Sequence, residues 1–91
     1  MKLNIYSVFD TVAQVFNKPF TDINNDTAKR IFIQSAQEDP NKNDYVLYWL
    51  GSFTDHDGDI IPLNEPQKVL SGFDVHKVTQ TTPVHLQEQS A

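Results

Sequence analysis

Residues Asp44–Asp59 read DYVLYWLGSFTDHDGD and form the densest apolar and aromatic run of the chain. Aromatic and β-branched residues bounded by turn residues are typical of a β-strand. Apolar side chains occur on both faces of this predicted strand, so both faces require cover, and mid-strand Trp49 is predicted to be buried. The pair Asp57-Gly58 suits a tight hairpin turn and predicts a further strand directly after it.

Two strands are predicted before this stretch. The first is Lys2–Asp10, which would carry apolar side chains on both faces if the chain is extended there. Asp10–Gln14 would turn the chain, and Val15–Phe20 would return beside the first strand. Because Pro19 has no N–H, the returning strand is expected to lie at a sheet edge or to end there.

One amphipathic helix is predicted over Asn25–Glu38. Asn24 or Asn25 would serve as the N-cap, and Asp26 favours the positive end of the helix dipole. Small or apolar side chains recur along one side at helical spacing, at Ala28, Ile31, Phe32, Ser35 and Ala36. Pro40 pushes the residue before it out of helical geometry and so ends the helix.

The C-terminal part predicts one short strand and then a tail. Ile60–Leu63 would pair across the Asp57-Gly58 turn, and after Gly72 only scattered apolar residues remain. We therefore predict a single domain over residues 1–72 and a flexible tail over 73–91. The predicted fold class is α+β: a small antiparallel sheet of two hairpins, ββαββ, with one helix packed on one face and a disordered C-terminal tail.

Composition limits the possible functions. The 91 residues allow one small domain, and the absence of cysteine excludes disulfides and thiolate metal sites. We find no signal peptide and no apolar run of membrane-spanning length, so we expect a cytoplasmic protein without a membrane partner. The net charge of −5 argues against tight nonspecific binding to phosphate backbones.

The cluster Asp55-His56-Asp57-Gly58-Asp59 is the one stretch with metal-ligand residue types. Its glycine and acidic spacing do not fit a calcium-binding loop, so a solvated hairpin turn is the preferred interpretation. No catalytic constellation is apparent, and three glycines are too few for a phosphate-binding loop. We therefore expect no enzyme activity, no catalytic or metal-binding residues, no cofactor and no small-molecule substrate.

Cations and aromatic residues together suggest a second possibility, single-stranded DNA binding by stacking and charge. The candidate nucleic-acid-binding residues are Lys18, Lys29, Arg30 and Lys42. The alternative is that the aromatic residues form the core and the cations a solvated helix face.

Self-association is also expected. One helix would cover one sheet face and leave an apolar face opposite, which a second copy would bury. The predicted dimer face consists of Tyr6, Val8, Tyr48 and Leu50. The alternative is a monomer in which Val69, Leu70 and Phe73 fold back over that face.

Short motifs within residues 1–70 carry a family resemblance by their order and spacing. They are Phe9-Asp10, Pro19-Phe20, Asn24, Ala28-Lys29-Arg30-Ile31-Phe32, Asp44-Tyr45, Leu47, Leu50-Gly51-Ser52-Phe53, Asp57-Gly58 and Pro62-Leu63. The pattern resembles the small nonstructural protein of gokushoviruses, the single-stranded DNA phages of the microvirus family.

The resemblance implies a non-enzymatic role in viral DNA replication or single-stranded genome production, inside the cytoplasm of an infected bacterium. It brings no catalytic residue with it. Single-stranded DNA or phage and host replication proteins would be the partners. The alternative is a homodimeric protein–protein interaction module without nucleic-acid contact.

Overall fold

A computed structural model describes residues 1–75 of the 91-residue chain. Predictions about residues 76–91, most of the expected tail, lie outside the described residues. The regular elements are β1 (Lys2–Asp10), β2 (Val15–Phe16), β3 (Phe20–Asp22), α1 (Asn25–Ala36), β4 (Tyr45–Thr54) and β5 (Asp59–Ser71). Two short 3-10 helices, Lys42–Asp44 and Gly72–Asp74, precede β4 and follow β5.

The strands form one five-stranded antiparallel sheet in the order β2-β1-β4-β5, with β3 also paired to β1. The ββαββ layout predicted from the sequence is therefore wrong, and the described part of the chain is mostly antiparallel sheet, with helix α1 packed against it. The returning arm is two short strands, because residues 17–19 lie outside the ladder; one of them, Pro19, has no N–H to donate to it.

Strand β5 differs most from the expected short Ile60–Leu63. It continues for 13 residues, through Pro62 and Pro66. An edge strand tolerates proline because one row of its backbone groups needs no partner within the sheet. The ladder to β4 is also irregular, since Trp49 pairs with Gln67 and Gly51 with Pro62. Four β5 residues, 63–66, thus lie opposite the single residue 50.

Leu50 also interrupts the ladder between β1 and β4. Ile5 pairs with Gly51 and Tyr6 with Trp49, so Leu50 is an extra residue, a β-bulge. At Gly51 a Cβ atom would lie 2.5 Å from the carbonyl oxygen of Ile61. Glycine therefore allows β4 and β5 to approach closely beside the bulge.

Helix α1 begins where the sequence predicts and ends two residues earlier, at Ala36 rather than Glu38. Asn24 caps it through a capping box, in which its side chain accepts a hydrogen bond from the backbone N–H of Thr27. One side of the helix is buried against the sheet. The buried core consists of Tyr6, Ala28, Phe32, Ala36, Leu47 and Val75.

The C-terminal end of the described chain packs into this core. Val75 is fully buried and lies three residues beyond the predicted domain limit at 72. Gly72 is buried against the backbone of Lys42 and Tyr45, so the two 3-10 helices lie side by side. Val69 and Leu70 also pack against the core, whereas Phe73 is exposed. The limit at 72 stays a prediction, but Val75 beyond it is part of the packed core.

Candidate functional site

The two faces of the sheet differ in their cover. Tyr6 and Leu47 belong to the core beneath α1, and Val8 packs against it. Side chains alternate across a strand, so Phe9 and Tyr48 point to the opposite side. We call the side that carries Phe9 and Tyr48 the open face, since α1 packs on the other side.

Three aromatic rings meet on the open face and form what we call the aromatic cluster: Phe9, Phe16 and Tyr48. Phe9 and Phe16 are direct partners in the β1–β2 ladder, with ring centroids 4.7 Å apart. Tyr48 meets both rings edge-on, at 6.2 Å from Phe9 and 5.6 Å from Phe16. Such tilted arrangements are favourable for aromatic pairs. Phe16 is 44% exposed, so the cluster is accessible from solvent.

A pocket of about 260 Å³ opens beside these rings and is lined by the aromatic cluster together with Glu65 and Pro66. The irregular segment of β5 over residues 63–66 supplies those last two residues. Lys68 pairs with Tyr48 in the β4–β5 ladder, and paired residues share a face of the sheet. Around the aromatic cluster, the open face therefore combines three tilted and edge-on rings, the carboxylate of Glu65 and the exposed cation Lys68.

A second apolar pocket, of about 190 Å³, lies towards the other end of the sheet. Its lining residues are Ile5, Pro19, Phe20, Thr21, Phe53 and Ile60. Ile60 and its neighbour Ile61 are exposed by 66% and 56%. Exposed isoleucines beside an apolar pocket indicate a surface that a partner can cover.

The four cations predicted for nucleic-acid binding are not brought to the aromatic cluster. Lys18 lies between β2 and β3, Lys29 and Arg30 lie on α1, and Lys42 begins the first 3-10 helix. None of them lines either pocket just described. Lys68, which was not among the residues predicted to bind nucleic acid, is the cation beside Tyr48.

The four residues of the predicted dimer face are separated by the structure. Tyr6 is fully buried and Val8 packs against the core, both on the side of α1. Leu50 is the bulge residue, and of the four only Tyr48 belongs to the aromatic cluster. The bulge explains the difference, since one extra residue in β4 shifts its alternation relative to β1.

Phe9 and Phe16 were missed as functional candidates, although the sequence contains a signal for them. The predicted turn over 10–14 places Phe9 and Phe16 near each other on adjacent strands. Trp49, predicted to be buried, is only partly so: it packs against the core, and its Nε1 donates a hydrogen bond to the carbonyl oxygen of Gly51 at 2.8 Å.

A polar link joins the sheet to the start of α1. The hydroxyl of Tyr6 donates to Oδ1 of Asn25 at 2.6 Å, and Nδ2 of Asn4 donates to the same hydroxyl at 3.0 Å. Burial raises the pKa of the Tyr6 phenol above its usual value, and the nearby carboxylates of Asp22 and Asp26 raise it further. The phenol is therefore neutral and holds the helix start against β1.

The acidic segment after β4 is the expected hairpin turn. Gly58 has a φ of +77°, and Oδ1 of Asp57 accepts from the backbone N–H of Asp59 at 3.2 Å. Asp55 forms an ion pair with the amino group of Met1 at 2.6 Å. Within residues 1–75, no three carboxylate, imidazole or thiolate groups come together in a way that could hold a metal ion.

The fold defines a small, mostly antiparallel β domain with one helix and an aromatic face. Comparison with known proteins gives its family: a family model described as "Phage ORF5 protein" matches residues 3–75. The chain therefore belongs to the Phage ORF5 protein family and is a phage protein.

Other comparisons add no relative. No curated protein and no solved structure matches the chain. No helix among residues 1–75 is long and apolar enough to cross a membrane.

Proposed function

We propose that this phage protein binds single-stranded DNA through the aromatic cluster and acts without catalysis in viral DNA replication or single-stranded genome production. The setting would be the cytoplasm of a bacterium infected by a gokushovirus, as the motif resemblance implies. No cofactor is required.

The observation that carries the proposal is the aromatic cluster on the open face. Single-stranded DNA binding proteins stack bases on aromatic side chains, and each stacked base contributes roughly 1–3 kcal/mol. Phe16 is partly exposed, and the adjoining pocket of about 260 Å³ offers space for a base. Lys68, on the same face as Tyr48, is positioned to neutralise a phosphate.

Charge sets the expected strength and salt dependence. The net charge of −5 disfavours long-range attraction of DNA, so stacking has to supply most of the binding. If only one or two phosphates are neutralised, the logarithm of the binding constant should fall against the logarithm of salt concentration with a slope of about −0.7 to −1.4. A strongly basic protein would show a much steeper slope.

Fluorescence anisotropy with a dye-labelled single-stranded oligonucleotide at low salt tests the proposal. We expect saturable binding by the wild-type protein, weakened by Phe16→Ser. Val12→Ser is the matched control, because Val12 is 73% exposed and lies in the β1–β2 turn, outside the cluster. No saturable binding at tens of micromolar protein, or equal binding by both variants, would contradict the proposal.

A second candidate function is a homodimeric protein–protein interaction module without nucleic-acid contact. It is favoured by the exposed Ile60 and Ile61 beside the second pocket, and by the open face itself. Light scattering at micromolar concentration distinguishes the two states, since the chain has a mass of 10.4 kDa. A doubled mass that Tyr48→Asp halves would place the dimer interface on the open face, whereas a mass near that of one chain would remove the dimer.

A further inference from the structure

The pocket beside the aromatic cluster contains one charged lining residue, Glu65. Within residues 1–75 the Glu65 side chain makes no hydrogen bond or ion pair, so its oxygens are available to a ligand. Pro66 follows it and restricts Glu65 to extended backbone geometry. The three rings and Pro66 supply apolar surface on which a base can stack, and Glu65 lines the same pocket.

We infer that this pocket selects guanine among the bases of single-stranded DNA, with Glu65 reading the Watson–Crick edge of the base. The inference rests on the proposed function, because it assumes that a stacked base enters the pocket.

The choice of guanine follows from the hydrogen-bond donors that each base offers. An ionised carboxylate only accepts, and its two oxygens can accept two parallel hydrogen bonds. Guanine offers such a pair of donors on adjacent atoms, N1–H and the N2 amino group. In single strands this edge is free of a pairing partner.

The other bases fit a carboxylate less well. Adenine and cytosine each place an amino donor beside a ring nitrogen that is itself an acceptor and would repel the second oxygen. Thymine places one N–H between two carbonyl oxygens. Each of these three bases can therefore give Glu65 one hydrogen bond at most, and two acceptors would face each other.

The preference is expected to be modest because Glu65 is exposed and competes with water. One additional hydrogen bond at such a site corresponds to roughly 3- to 10-fold in affinity. The effect should appear as a ratio between oligonucleotides that differ in one base, superimposed on stacking that all bases share.

Competition binding with thymine oligonucleotides that carry one central guanine, hypoxanthine, adenine or cytosine tests the inference. Hypoxanthine differs from guanine only by the missing N2 amino group, and one guanine per strand avoids quadruplexes. We expect guanine to bind roughly 3- to 10-fold more tightly than hypoxanthine, and Glu65→Gln to abolish that ratio. Glu38→Gln is the control, because it removes the same charge from an exposed residue just after α1 and outside the pocket.

The outcomes separate the inference from the proposed function. Tight binding of all four oligonucleotides with equal affinity would overturn guanine selection and leave single-strand binding in place. A guanine preference that persists in Glu65→Gln would assign the selection to another residue and overturn the role of Glu65. Failure to bind any oligonucleotide would overturn both.

Discussion

Tyr6 shows at the residue scale how one side chain connects the helix to the sheet. It is fully buried, it pairs with Trp49 across the β1–β4 ladder, and its ring stacks on Phe20 with centroids 5.7 Å apart. Its hydroxyl bonds to Asn25 in the first turn of α1. The sequence predicted Tyr6 on an exposed dimer face, because strand alternation alone does not reveal the bulge that aligns Tyr6 with Trp49.

The raised pKa of Tyr6 predicts a pH dependence of stability. Because the neutral phenol is favoured in the folded state, its contribution is complete below pH 10.0, the ordinary tyrosine value, and is lost as the pH rises through the higher folded value. Tyr6→Phe should cost about 1 kcal/mol at neutral pH through the lost hydrogen bonds. Urea unfolding at neutral and at alkaline pH should show that the variant loses less stability than the wild type on going to alkaline pH. An equal loss of stability in the wild type and the variant would show that the pKa of Tyr6 is the same in the folded and the unfolded state.

Gly72 offers a second test at this scale. A Cβ atom there would collide with the backbone carbonyl of Lys42 and lie 3.0 Å from the carbonyl oxygen of Tyr45. Backbone atoms yield less readily than a flexible side chain, so Gly72→Ala should destabilise the protein by about 1–3 kcal/mol. Chemical denaturation measures this, with Gly58→Ala as the control. A Cβ atom at Gly58 would meet no other atom, so only its positive φ should destabilise the alanine variant, by about 1–2 kcal/mol. If Gly72→Ala had the same denaturation midpoint as the wild type, Gly72 would not lie this close to the backbone of Lys42.

At the scale of elements, local signals predicted what depends on local chemistry. Helix α1 was predicted within two residues because Asn24 and the spacing of Ala28, Phe32 and Ala36 act within one helix. Strand β4 and the Asp57-Gly58 turn were likewise predicted from the sequence. The length of β5 was not predicted. The strand continues past Pro62 because it lies at a sheet edge, and its place in the sheet cannot be derived from local sequence.

The candidate site was predictable only in part for the same reason. Phe9, Phe16 and Tyr48 could be assigned to strands, but their common face depends on the β1–β4 register. Glu65 reaches the pocket through the irregular segment opposite Leu50, and Lys68 joins Tyr48 through a register shift at Val69. Such irregularities arise from the packing of several strands and leave no periodic signal.

The capping box of α1 gives a prediction at this scale. Asn24→Ala removes the hydrogen bond from the N–H of Thr27, at 3.0 Å, and should destabilise the protein by about 0.5–2 kcal/mol. Thermal or urea unfolding measures the loss. Gln34→Ala, on an exposed position of the same helix, is the control and should change stability little. If both substitutions had the same small effect, the cap would contribute nothing to the fold.

For the whole molecule, Val75 extends the packed core beyond residue 72. It is fully buried in the core, and the family match also ends at residue 75. Truncation after Val75 should therefore keep cooperative unfolding. Truncation after Gly72 should lose roughly 1.5–3 kcal/mol, the burial of one valine side chain. Calorimetry on both truncated proteins measures the difference, and equal melting temperatures would return the domain limit to residue 72.

The opposition of helix and open face is the central feature of the whole molecule, and it predicts where DNA binds. Amide chemical-shift changes during titration of the ¹⁵N-labelled protein with a single-stranded oligonucleotide test this most directly. We expect saturable changes centred on Phe9, Phe16, Tyr48 and Lys68, with α1 unaffected. Changes centred on Lys29 and Arg30 of α1, or none at all, would contradict it.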